Sequence, residues 1–173
     1  MVKRVALIVD GHDSDLYASF CAVKLAKRMD AELFSVLLVS KSERPGPQPN
    51  ASSGAWSNFS PSALWRLVSG LCNLEQVRVS YHLVQRLPDS ELVDFLVDYK
   101  ISCLIAGALS DKDFDNKKDW LSKIVKKVSL HPRWYFWNLT VFLAKPWNEE
   151  FFKKILQQID VDCSLYSVEI VSV

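Results

Sequence analysis

The stretch Asp10-Gly11-His12-Asp13-Ser14-Asp15 gathers three carboxylates, an imidazole and a hydroxyl into six consecutive residues. Carboxylates with one imidazole suit several divalent ions. Acidic residues just ahead of a helix serve equally as caps and as partners of its dipole. The second role is expected here, because an apolar run ends at Val9 and a helical pattern starts directly after the break. A second charged cluster, Ser110-Asp111-Lys112-Asp113-Phe114-Asp115, puts three carboxylates within five residues. At a 5 Å spacing and an effective dielectric of 20, each like-charge contact costs about 3 kcal/mol before screening. His82 and His131 stand apart in the chain, and no Ser-His-Asp order is visible. Nothing therefore points to nucleophilic or general acid–base catalysis, and the chain is expected not to be an enzyme.

The four cysteines (21, 72, 103 and 163) lie far apart, without a Cys-x-x-Cys pair, and each falls inside an apolar pattern. Reduced core cysteines are expected, not a disulfide or metal framework. A net charge of +1 over 173 residues lacks the basic excess of a nucleic-acid binder. No apolar run approaches the roughly 20 residues of a membrane helix. The apolar stretch after Lys3-Arg4 stops at Asp10, too soon for a signal peptide. A cytoplasmic location, with neither nucleic acid nor membrane as partner, is the expectation.

These residues are positioned by alternating elements. Val5–Val9 and Leu33–Val39 read as strands buried on both faces. Between them Leu16, Phe20 and Val23 recur at helical spacing, with Lys24, Lys27 and Arg28 near the helix's carboxyl end. Residues 40–61, rich in Pro, Ser, Asn and Gly, predict a long mobile loop with Trp56 and Phe59 as its anchors. Ser60-Pro61 opens a second helix. Val77–Val84 is a third strand, Asp89 or Ser90 caps a third helix, and Cys103–Ala106 is a fourth strand ending at Gly107. Asn116 is expected to open a fourth helix, with its lysines on a solvated face, and Leu139–Leu143 is a fifth strand. A tail helix over 149–159 and a last strand around Tyr166–Ile170 follow. The pattern predicts a doubly wound, mainly parallel five-stranded α/β sheet over 1–145, helices on both faces, and a helix–strand extension at 146–173 on the same domain.

The first strand–helix–strand unit resembles the universal stress protein family. The likeness lies in Asp10-Gly11 after the first strand, Ala18, Ala22, Leu25-Ala26-Lys27-Arg28, and Ala31-Glu32-Leu33 leading into the second. It runs without a gap for about thirty residues, and the order of later elements agrees through residue 145. The resemblance implies the family's five-stranded parallel sheet, commonly dimeric, with ATP bound by some members and not by others. In the binders an aspartate after strand one and a small apolar residue ending strand two hold the nucleoside, and Gly-x-x-Gly-x9-Gly-Ser/Thr wraps the phosphates. Asp10 with Gly11, then Val39 and Gly107, match these positions. Ser110 stands where the second glycine belongs, and Ser122-Lys123 replaces the final pair. Glycines let backbone N–H groups approach phosphate closely, so their absence, with the aspartates beside them, argues against ATP or AMP as a standard cofactor.

The resemblance therefore implies a small binding or signalling protein of the stress-response kind. Asp10, Gly11, Val39, Gly107 and Ser110 line whatever small-molecule pocket survives at the sheet's carboxyl edge. One alternative is an interaction module with a vestigial pocket. Another is a nucleotide-using enzyme, since Gly11, Asp13 and Ser14 also resemble the Ser-Gly-Gly-x-Asp-Ser loop of the ATP pyrophosphatases, although Val9 and Asp10 stand at its first two positions. Trp134-Tyr135-Phe136-Trp137 cannot all enter one core. Either they form a homodimer or partner interface beside the fifth strand, or helix 149–159 covers them.

Overall fold

A computed structural model of the chain describes residues 3–12, 14–40, 61–108, 110–134, 139–145 and 167–172. The expected loop at 40–61 thus falls almost entirely outside the described residues, as do Tyr135–Trp137, Cys163 and the expected helix at 149–159. The elements run β1 (Arg4–Val9), α1 (Asp15–Met29), β2 (Glu32–Val39), α2 (Pro61–Glu75), β3 (Val79–Gln85), α3 (Ser90–Asp98), β4 (Cys103–Gly107), α4 (Asp111–Ser129), β5 (Thr140–Lys145) and β6 (Ser167–Ser172).

They build one six-stranded sheet in the order β3-β2-β1-β4-β5-β6. The first five strands are parallel, and β6 runs antiparallel beside β5, pairing Thr140 with Ser172 through to Lys145 with Ser167. Two apolar layers sandwich the sheet. Val5, Leu7 and Val9 face α1 and α2, where Leu16, Phe20, Leu64 and Val68 lie. Ala6 and Ile8 face α3 and α4, where Leu92, Leu96, Leu121 and Ile124 lie. The period-2 alternation of strands thus feeds two cores, which is why the central strands read as unbroken apolar runs. Cys21, Cys72 and Cys103 are buried in the core, as their apolar settings predict.

The chain reverses winding direction between β1 and β4, and ligand crevices of open α/β sheets form at such a switch point. Two details sharpen that end of the sheet. Helix α4 starts at Asp111, five residues before the expected Asn116, because Ser110 caps it: the Ser110 hydroxyl accepts the Asp113 N–H at 3.2 Å. Helix α3 does begin at Ser90 with Asp89 as its cap residue, but the Asp89 carboxylate is turned to Lys127 at 2.9 Å and not to the helix backbone.

Candidate functional site

At the rim, the end of β1 meets the start of α1, the end of β4 and the second turn of α4. Asp10 leaves β1, and Gly11 then takes φ of 90°, a left-handed backbone that favours glycine. This tight turn is held from inside by Asp15. The Asp15 carboxylate accepts the Gly11 N–H at 2.9 Å and, more loosely, the Asp10 N–H at 3.4 Å. Asp15 is almost wholly buried. Burial pushes its carboxyl well above the usual carboxylate range, and the neighbouring Asp10 charge pushes in the same direction. Asp15 is thus a structural brace. Among the described residues, no group of three or more His, Cys, Asp and Glu side chains is placed to hold a metal ion.

Gly107 ends β4 directly against the start of α1. A Cβ on it would lie 2.3 Å from the Ser14 carbonyl oxygen and 2.8 Å from the Ser14 carbonyl carbon. Glycine is required here for the close approach of strand and helix, whatever the crevice binds.

The residue that organises the rim is Lys117. Its ammonium lies 3.1 Å from Asp10 Oδ2 and donates to the Gly107 carbonyl oxygen and, at 3.4 Å, to Ser14 Oγ; Asp113 Oδ2 is 3.9 Å away. Both side chains of the Asp10–Lys117 pair are about nine-tenths buried (Lys117 10% and Asp10 11% exposed). Arg86 closes the other side. Its backbone N–H donates to the Val39 carbonyl at 2.8 Å and its Nη2 to the Asp10 carbonyl at 3.0 Å, linking the ends of β2 and β1.

Of the five residues expected to line the crevice, Asp10, Gly11 and Gly107 are brought together, and Val39 is tied to them through Arg86. Ser110 stands at the mouth as an exposed helix cap. The carboxylates expected at this crevice are there, but a buried cation, Lys117, sits among them. Asp115 is exposed, Asp113 is half-buried, and Lys117 lies against Asp10 instead of on a solvated face. Lys117 and Arg86 are the site residues that sequence reasoning missed. A signal for Lys117 existed: it shares the helical stripe of Phe114, Leu121, Ile124 and Val128, and a lysine on an apolar stripe marks a buried cation with a partner.

His82 lies elsewhere, on β3, stacked on Phe34 with centroids 5.3 Å apart and edge-on to Phe95 at 5.1 Å; burial lowers its pKa. This is an aromatic packing cluster away from the rim.

No protein-family model and no curated protein sequence matches the chain. Solved structures do match its fold. One is a universal stress protein in complex with cAMP, at 17% identity and a TM-score of 0.51, covering 82% of this chain and 96% of that one. Another is a hypothetical protein whose biochemical function was assigned from its structure, at 16% identity and a TM-score of 0.50, covering 86% and 99%. A conserved protein from Thermus thermophilus matches at 11% identity and a TM-score of 0.50, covering 86% and 68%. The fold is that of the universal stress proteins. Among the described residues, no helix is long and apolar enough to cross a membrane.

Proposed function

We propose that this chain is a universal stress protein-like, non-enzymatic binding or signalling protein of the cytoplasm whose rim crevice is closed to ATP. The observation that carries the reading is the seat of Lys117. Its ammonium occupies the space between Asp10, Ser14 and Gly107 at the switch point, where a bound nucleotide would approach the sheet. Asp10, the residue matching the nucleoside aspartate of the family, is already paired. The backbone of Gly107 is pressed on Ser14 and not free to wrap an anion. A triphosphate would have to break a buried ion pair before gaining any contact, and leaving one partner of such a pair alone costs about 3–5 kcal/mol.

The cAMP held by the fold's solved relative makes a nucleoside monophosphate the nearest competing ligand. Thermal unfolding of the wild-type protein with millimolar ATP, AMP and cAMP tests the reading. Melting temperatures within about 1 °C of the ligand-free value are expected, since a ligand at 100 times its Kd stabilises by about 2.7 kcal/mol. A rise of several degrees with ATP overturns the closed crevice. A rise with cAMP or AMP alone moves the function to a monophosphate binder. Release of pyrophosphate or phosphate from ATP refutes the non-enzymatic assignment.

A further inference from the structure

We infer that the rim is a built binding site for a primary ammonium group, occupied in the intact chain by its own Lys117. The inference rests on the reading of a crevice closed to ATP and names the ligand chemistry of that crevice. A protonated primary amine carries three N–H donors and no acceptor. The rim presents three acceptors around Lys117 Nζ: Asp10 Oδ2, the Gly107 carbonyl oxygen and Ser14 Oγ. One is a carboxylate, which supplies the charge, and two are neutral oxygens, which supply direction. Asp113 Oδ2 at 3.9 Å adds negative field from the mouth.

A second observation points the same way. The other oxygen of that carboxylate, Asp10 Oδ1, is buried and has no hydrogen-bond partner among the described residues. Asp10 itself is 9% exposed. A buried carboxylate with one oxygen outside any hydrogen bond, and a second buried carboxyl, Asp15, beside it, favours a cation at this end of the sheet. The donor set also selects the kind of cation. Magnesium takes six near-octahedral oxygens and keeps several waters, whereas this packed rim offers a threefold set suited to an ammonium. The crevice therefore has the opposite polarity to a phosphate cradle.

Chemical complementation tests the assignment. Lys117→Ala deletes three carbons and the ammonium, the atoms of n-propylammonium. The variant is expected to melt well below the wild type, and 100 mM n-propylammonium chloride is expected to raise its melting temperature by about 3–5 °C relative to equal sodium chloride. Tetramethylammonium, which has the charge but no N–H, is expected to give no such rise. Lys117→Met fills the same space and is expected not to respond. If Lys117→Ala does not fold alone, its refolding yield with and without n-propylammonium is the readout, and a gain confined to the amine supports the site. Absence of any specific gain overturns the proposal, as does equal rescue by tetramethylammonium or by magnesium chloride, or an equal response from Lys117→Met. These results are independent of the wild-type nucleotide shifts, so a failed complementation leaves the closed crevice standing, and an ATP shift in the wild type falls on that reading alone.

Discussion

Gly107 offers the sharpest check on how the rim is packed. A methyl group in its place would sit 2.3 Å from the Ser14 carbonyl oxygen, more than 1 Å inside van der Waals contact. The obstruction is backbone at the first turn of α1, which has no rotamer to change. Strand β4 and helix α1 would have to separate, and both contribute to the core that holds Val5, Leu16 and Ile105. Overpacking of this kind costs about 1–3 kcal/mol, and the upper end applies because backbone must move. For a chain of this size a loss of about 3 kcal/mol lowers the melting temperature by about 6–12 °C. The carbonyl oxygen that Lys117 uses would shift as well. Gly70 supplies the internal control. It lies exposed in α2, and a Cβ there meets nothing within 4 Å. Gly70→Ala is expected to gain about 0.5–1 kcal/mol, because alanine has the better helix propensity. Thermal and urea unfolding of the two variants, followed by circular dichroism, should move in opposite directions. A Gly107→Ala protein melting within about 2 °C of the wild type would refute the close approach of β4 to α1.

Three more perturbations follow from the same arrangement. Asp15 binds its proton more tightly folded than unfolded, so its contribution to stability is fully present below the unfolded pKa near 4 and is lost as pH rises through the higher folded value. Asp15→Asn should therefore gain on the wild type as pH is raised from about 4 to 8 in urea titrations, and parallel stability curves would refute the burial argument. Burial raises the Cys72 thiol to about 11, so at pH 8 mass-mapped alkylation should spare Cys72 in the folded protein and label it in urea. Removing residues 167–173 strips the outer partner from β5, and size-exclusion chromatography with light scattering should then show association; a truncated chain that stays monomeric would show that the edge is protected by other means.

Strand and helix identities were legible because each central strand is a short apolar run and each helix carries one stripe, signals set by burial on two faces of a sheet. The expected juxtaposition of Asp10 and Gly107 also follows from chain order, since parallel crossovers bring β1 and β4 together at the winding switch. What the residues concealed was the polarity of the rim. Starting α4 at Asn116 rather than at the Ser110 cap left the turn before Lys117 off the helix, so a lysine on the apolar stripe passed for part of a solvated run. Asp15, one of several acidic residues at the start of a helix, has a sequence position that suits a cap or a dipole partner. Only the turn at Gly11 shows its carboxylate pointing backwards to brace the loop. Arg86 carried no local signal at all, since its partners Asp10 and Val39 lie at the ends of strands far away in sequence.

The antiparallel strand β6 has a bearing on how the chain is made. It is translated after every other strand of the sheet, while β5 has been complete since Lys145. On the ribosome the five parallel strands can thus assemble with β5 outermost, and its strand partner on that side arrives when residues 167–172 emerge and pair with it. During this interval β5 lacks that strand partner, an unpaired edge is a template for pairing with a neighbouring chain, and slowing synthesis between residues 145 and 167 should lengthen the interval.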